Sequence, residues 1–350
     1  MSHEPPAIRG LTIDAVTQWL TAHVPEAAGG FEYSLIAAGG SNLTYRVTDR
    51  DGGVFALRRP PEGTALATAH DVDREWRIIS ALHRSGSVPV PRPIARCDDA
   101  SITGAPFYVM DFVAGPILRT VADTAGLDAE AALTATHSLI DAQVAMHTID
   151  LDASGLADLG RHDGYVERQL KRWRTQVKRA DARPVPLLHE LYDALATRVP
   201  AERVAPALAH GDYRFDNVVL RPDWSMGAVL DWELCTTGNP LADFAWSTQY
   251  WADPGDAFTW LPDAPTTSTV FPRSAEVIDL YTAATGFDLS DYPFYEAFSW
   301  WKQACIVEGV FARRLNGSQG GMHQSGPASV IADRVDIMLE HTHRLVADLD

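Results

Sequence analysis

Cysteine is scarce in this chain, and basic residues are outnumbered. Only three Cys occur, at 97, 235 and 305. They are far apart, odd in number and accompanied by no CxxC or Cys/His ligand spacing, which argues against a disulfide framework or a zinc site. Reduced thiols and a cytoplasmic setting are the expectation. Lys plus Arg total 29 against 46 acids, a formal charge of −17, so phosphodiester backbones and anionic membranes are repelled unless a local basic patch overrides the field. Nucleic acid is not expected as a partner. No run of 18 apolar residues occurs, and MSHEPPAIRG has neither a basic start nor an apolar core segment. Neither a membrane span nor an export signal is read.

What is present is the composition of a folded globular protein. Of 350 residues, 46% are hydrophobic, 21% are charged and 10 are Trp. That suits one large or two intimately packed domains. Residues 11–23 read as a helix. LTYRVT (43–48) alternates Leu43, Tyr45 and Val47 with polar partners, and DRDGG then turns the chain into VFALR, so a β-hairpin is expected. AHDVDREWRIISAL spaces Val72, Trp76, Ile79 and Leu82 as one helical face, and VPVPRP stops it. FYVMDFVAG (107–115) reads as a buried strand ending at a Gly. Beyond it, Leu133, Ile140, Val144 and His147 fall on one helical face, and most of the remainder is helical in pattern. A boundary near 111–116 is expected between a β-rich N-terminal lobe and a larger α-rich C-terminal one.

The densest polar cluster is LAHGDYRFDNVVL (208–220). Asn217 opens an apolar run, RPDWSMG turns the chain, and GAVLD returns it to Asp231. If the two runs pair antiparallel, Asn217 and Asp231 point into a common space, with Asp212 on the loop just before. An amide oxygen and a carboxylate are hard ligands suited to Mg²⁺, which takes few protein ligands plus substrate phosphates. Asp212 is then placed to accept or orient the proton of a nucleophilic hydroxyl. The competing reading is local: Asp and Asn also favour turns by hydrogen-bonding their own backbone.

HGDYRFDN followed by VLDWE resembles the catalytic loop and metal segment of the aminoglycoside phosphotransferase and choline kinase-like family, relatives of the protein kinases. AAGGSNLTYRV resembles the family's phosphate-covering loop, and FYVMDFVAG its adenine hinge. Together with LRRPP, AHDVDREWRIISAL and VPVPRP, these segments look closest to the kinase-like domains fused to some acyl-CoA dehydrogenases. The resemblance implies an α+β, two-lobed protein-kinase-like fold, with a nucleotide-binding lobe at 1–110, a hinge at 111–116 and a helical lobe at 117–350. It implies ATP or GTP with Mg²⁺ as cofactors and a small-molecule hydroxyl as phosphate acceptor. It makes Asp212 the catalytic base and Asn217 and Asp231 the metal ligands. It makes His210 a structural anchor of the loop. Gly40, Ser41, Asn42, Met110, Asp111 and Val113 fall in its nucleotide site. GGSN lacks a full GxGxxG, however, and a plain turn remains its rival; Met110 either lines the adenine site or fills core.

One position departs from the kinase pattern. The strand Lys of an A-x-K setting has become Arg58 in Ala56-Leu57-Arg58. Strand alternation keeps Ala56 and Arg58 on one face, and a forked, permanently charged guanidinium still suits phosphate. Glu75 lies within the apolar arc of its helix. A carboxylate there needs a cation, and Arg58 is the expected partner, unless Glu75 is solvated at the helix edge. Glu233, on the same side as Asp231 of a local extended segment, contacts metal, substrate or a backbone amide. Arg214 either neutralises developing charge or pairs with a neighbouring acid. GYVERQLKRWRTQ concentrates Arg168, Lys171, Arg172 and Arg174 near Trp173, as a solvated face or as a dock for an acidic substrate. FSWWKQACIVEGVFARRLNG, with Trp301 and Arg313, either walls an acceptor pocket or is core. His147 is read as a core residue.

Three function classes follow from the residues and the resemblance together. They are a small-molecule phosphotransferase acting on a hydroxyacyl compound, its CoA thioester, an aminoglycoside or an amino alcohol; a catalytically weak nucleotide-binding protein, motivated by Arg58; and a metal-dependent phosphohydrolase using Asp212, Asp231 and Glu233.

Overall fold

The computed structural model describes residues 8–38, 42–61, 69–161, 163–256, 259, 261–317 and 327–349. The chain divides into two compact units, residues 1–115 with 227–233 and residues 116–226 with 234–350.

In the first unit, helix α1 (Ile13–His23) precedes strands β1 (Glu32–Ala38), β2 (Leu43–Thr48) and β3 (Val54–Arg59). Helix α2 (Ala69–Ser85), strand β4 (Pro93–Cys97), the one-turn α3 (Ala100–Thr103) and strand β5 (Phe107–Asp111) follow. The strands make an antiparallel sheet in the order β1-β2-β3-β5-β4. Between β2 and β3 the expected hairpin turn forms because the Asp49 carboxylate accepts the amides of Asp51 (3.0 Å) and Gly53 (2.7 Å). Strand alternation then sorts the side chains. Leu43, Tyr45, Val47, Phe55, Leu57, Phe107 and Val109 pack on one face against Val16, Trp19 and Leu20 of α1. Each such buried side chain contributes ~1.5–3 kcal/mol, so a one-residue slip would move the whole set to the wrong face and is strongly opposed. The register fixes what stands on the other face: Ala56 opposite Met110, and Arg58 opposite both Thr44 and Tyr108.

The second unit is mainly helical: α4 (Ala129–Thr148), the one-turn α5 (Leu151–Ser154), α6 (Tyr165–Ala180) and α7 (Pro186–Ala196). Strands β6 (Ala207–Ala209), β7 (Val218–Leu220), β8 (Met226–Val229) and β9 (Thr236–Gly238) come next, and β6 pairs with β9. The chain passes into the first unit within β8. Helices α8 (Pro240–Thr248), α9 (Ser274–Thr285), α10 (Tyr292–Leu315) and α11 (Ala328–Ala347) complete the chain.

One apolar pattern departs from its expectation, and a second, left open between pocket wall and core, is decided by packing. On α4 the buried stripe is Ala132, Ala135, Thr136, Leu139, Ile140, Gln143, Met146 and His147, whereas Leu133 is 44% exposed. Small residues face inward because the helix packs closely on α9 and β6. Helix α10 touches α6, α7, α8 and α11; it is core on nearly every side. Among the described residues, no helix is long and apolar enough to cross a membrane. All three cysteines are free and buried.

Candidate active site

Arg58 is the hub of the polar cluster in the first unit. Its Nε donates to Glu75 Oε2 and its Nη2 to Glu75 Oε1, both at 2.9 Å, the bidentate fork a guanidinium makes with a carboxylate. Glu75 is 1% exposed. It also accepts from the Tyr108 hydroxyl at 2.9 Å and the Asn42 amide at 3.4 Å. Burial pushes the Glu75 carboxyl above its ordinary value, and the Arg58 charge opposes that rise. The expected Arg58 to Glu75 pairing is therefore present, and Glu75 is not solvated at the helix edge.

Asp231 and Glu233 join this cluster, since residues 227–233 belong to the first unit. Arg58 Nη2 lies 2.5 Å from Asp231 Oδ1 and 3.6 Å from Glu233 Oε2. Glu233 also accepts from the Asn42 amide at 3.0 Å. Strand β8 ends at Val229, and Asp231 adopts a left-handed backbone with φ 62°. Asp tolerates that region better than most residues, yet it still costs about 1 kcal/mol or more and is held by its surroundings. Glu233 sits in a 3₁₀ turn, Trp232–Leu234, rather than in the extended segment expected. Ligand oxygens of Glu75, Asp231 and Glu233 lie within 4.8 Å of one another. This all-oxygen, carboxylate-rich set has the chemistry of a Mg²⁺ site, and Arg58 is the positive charge that balances it here.

The second unit holds the HGD loop. Its key support is a residue the sequence reading passed over, Asp243 on the first turn of α8. Asp243 is 3% exposed. It accepts the backbone amides of His210 (3.1 Å) and Gly211 (2.8 Å) and lies 3.1 Å from His147 Nε2. Burial alone would raise the Asp243 carboxyl, but His147, His210 and the Gly211 amide hold it below the ordinary Asp value. A carboxylate inside the otherwise apolar PLADFAW was the available signal. Gly211 is required by its conformation: φ is +85°, and a Cβ there would lie 2.9 Å from the Leu234 carbonyl oxygen. His210, fully buried, accepts the Asp212 amide on Nδ1 at 3.3 Å, the anchoring role expected for it.

Asp212 is thereby aimed by its neighbours. The Asn217 amide donates to the Asp212 carbonyl (2.7 Å) and to its carboxylate (3.0 Å). Asn217 closes a 3₁₀ turn, Phe215–Asn217, before β7 begins. Arg214 pairs with both loop acids, at 3.5 Å from Asp212 and 3.1 Å from Asp216, and lies over the Tyr250 ring. Behind the loop, Tyr213, Phe215, Phe244 and Trp251 help line a cavity of about 30 Å³. That is room for one or two waters, not for a substrate.

The remaining site expectations are scattered. Gly40 and Ser41 lie outside the described residues. Met110 shares the Ala56 and Arg58 face, Val113 is partly buried, and Asp111 is held by Arg92 at 2.8 Å. On α6, Arg172 is exposed, whereas Arg174 is taken up by Asp193 and the Tyr192 ring. Trp301 is fully buried and donates to the Leu188 carbonyl at 2.9 Å, which is a core role. Arg313 is exposed near the end of α10.

A model of the phosphotransferase enzyme family, which includes the aminoglycoside phosphotransferases, matches residues 32–298. The chain belongs to this family. Acyl-CoA dehydrogenase family member 11 of Gallus gallus is 34% identical over 331 residues, covering 91% of this phosphotransferase-family chain and 41% of the relative. The chain thus spans less than half the length of that relative. Among solved structures, a candidate aminoglycoside phosphotransferase from Ralstonia eutropha JMP134 superposes with a TM-score of 0.80 at 29% identity, over 96% of this chain and 98% of the other. Choline kinase from Cryptosporidium parvum Iowa II superposes with a TM-score of 0.65 over 96% of each chain, and its 13% identity speaks for the fold alone. The fold is protein-kinase-like, with a five-stranded antiparallel sheet in one unit and a mainly helical second unit.

Proposed function

We propose that this chain transfers the γ-phosphoryl group of ATP or GTP to a hydroxyl of a small metabolite. The observation that carries the reading is the buried Arg58 to Glu75 fork beside Asp231, the phosphate-gripping pair of the kinase mechanism with Arg in place of Lys. Arg58 steadies the phosphates, Asn42 covers them, and Met110, Asp111 and Val113 border the adenine. Asn217 and Asp231 would hold Mg²⁺, which when bound would neutralise phosphate charge, and Glu75 and Glu233 are carboxylates beside Asp231. Asp212, oriented by Asn217, accepts the proton as the acceptor oxygen bonds to phosphorus and the bond to the departing diphosphate breaks. Positioning and charge neutralisation then account for most of the rate. The acceptor we favour is a hydroxyacyl compound or its CoA thioester, in keeping with the acyl-CoA dehydrogenase relative; aminoglycosides and amino alcohols are the alternatives.

The test pairs binding with turnover. MgATP or MgGTP should raise the melting temperature by mass action, and a hydroxyl acceptor should then release ADP or GDP in step with phosphorylated product. Binding without transfer to any acceptor would favour a regulatory nucleotide binder, a reading motivated by the close grip of Arg58 on Asp231. Release of phosphate with no phosphorylated acceptor would favour a hydrolase.

A further inference from the structure

Helices α8 and α10 pack against each other in the second unit. At their contact the Lys302 ammonium sits 3.8 Å from the centroid of the Trp246 ring. No carboxylate among the described residues pairs with it. On α10, on α8 and just past the end of α8 are polar groups that are buried yet unmatched: Trp246 Nε1, both amide atoms of Gln249, and Ser299 Oγ find no hydrogen-bond partner among the described residues. Their residues are 5%, 7% and 1% exposed. Gln249 follows Trp246 by three positions and Ser299 precedes Lys302 by three, the helical spacing that puts each pair on one face.

Buried donors and acceptors are almost always satisfied, so several unmatched ones on the helices that carry a cation with no carboxylate partner leave room for a polar ligand. The site is coupled to the catalytic loop. Burial brings the Lys302 ammonium down to about 8, the charges of Asp243 and Asp212 oppose that fall, and Arg172 adds to it. Asp212 also helps to raise the already burial-raised phenol of Tyr250, the residue after Gln249. Lys302 is thus within electrostatic reach of the proposed base on one side and of the exposed Arg172 on the other.

Resting on the phosphotransferase reading, we propose that Lys302, with Trp246, Gln249 and Ser299, recognises the phosphate acceptor, and that the acceptor carries an anionic oxygen group, carboxylate or phosphate, near its hydroxyl. The ammonium pairs with that anion, Trp246 and Gln249 donate to its oxygens, and Arg172 draws it in from solvent. The same two cations repel polyamine and quaternary-amine acceptors, a discrimination made by repulsion as much as by attraction.

The experiment uses matched probes on the full chain with saturating MgATP: glycerate and 3-hydroxybutyrate, their uncharged counterparts glycerol and butane-1,3-diol, and choline as the cation. Acceptor-dependent ADP release should favour the two anions by about tenfold or more in kcat/KM. Lys302→Met should raise KM for the anions about tenfold while changing kcat much less, the signature of lost acceptor binding, and Lys302→Arg should restore part of it. Lys302→Met should melt no lower than the parent, because it removes a desolvated charge. The inference is overturned if choline or a diol is used as well as the anions, if Lys302→Met melts like the parent with unchanged KM, or if neither anion is turned over or bound by the nucleotide-loaded protein. If MgATP itself fails to bind, the phosphotransferase reading falls first, and this inference with it.

Discussion

Replacing Arg58 by Ala removes two things at once. The Arg58 side chain is 13% exposed and its partner Glu75 carboxylate 1%, so the variant leaves a buried carboxylate without its cation. Breaking a buried pair this way costs roughly 3–5 kcal/mol. Two circumstances reduce that figure: Tyr108 and Asn42 still donate to Glu75, and burial already favours its protonated form. A loss of about 2–4 kcal/mol remains, equivalent to a melting temperature lower by about 3–5 °C for a chain of 350 residues. Because the folded Glu75 carboxyl titrates above its ordinary value of 4.5, its ionisation works against folding once pH rises through the folded value. The deficit of the variant should accordingly be small near pH 4 and full at neutral pH. Nucleotide affinity should fall in parallel, since the phosphate contact is gone, and Asp231 and Glu233 lose the charge that balances them. Adding Glu75→Gln should recover most of the stability and none of the affinity. Arg58→Lys should keep much of both, with one donor in place of the fork. Calorimetry across pH and MgATP titration read these outcomes. Should Arg58→Ala melt and bind nucleotide like the parent, the hub role of Arg58 is wrong.

Other outcomes follow from the second unit and the metal set. Asp212→Asn should lower turnover about 10²-fold or more with nucleotide affinity nearly intact, as for a positioned base; equal loss of binding would make Asp212 a metal ligand. Asp231→Ala should abolish the Mg²⁺ dependence of nucleotide binding, read by titration with and without the ion. Asp243→Asn should cost roughly 1–3 kcal/mol at pH 7, since Asn cannot accept from all three of its buried partners. The Asp243 carboxyl is held below its ordinary value of 3.8, so its contribution is present above that pH and is lost as pH falls toward the folded value. Variant and parent should therefore converge in acid, and a constant gap down to pH 3 would exclude this charge-based role.

Local rules made much of this molecule legible. Period-two alternation put Ala56 and Arg58 on one sheet face, helical spacing put Glu75 inward where it needs a cation, and the kinase resemblance named Arg58 as that cation. The HGD-x4-N spacing likewise marked Asp212, whereas the positive φ of Gly211 is read only from the folded loop. Tertiary packing decided the rest. Leu133 is exposed because close contact of α4 with α9 and β6 admits Ala132 and Ala135 instead. Trp301 is core because α10 is surrounded by four helices, a fact no window of its sequence contains. Asp243 reaches the His210 and Gly211 amides across more than 30 residues of chain, and Lys302 meets Trp246 across 56. A side chain's own segment sets its direction. What it meets there, and whether a charge is paired, buried or left for a ligand, is set by the element that packs opposite.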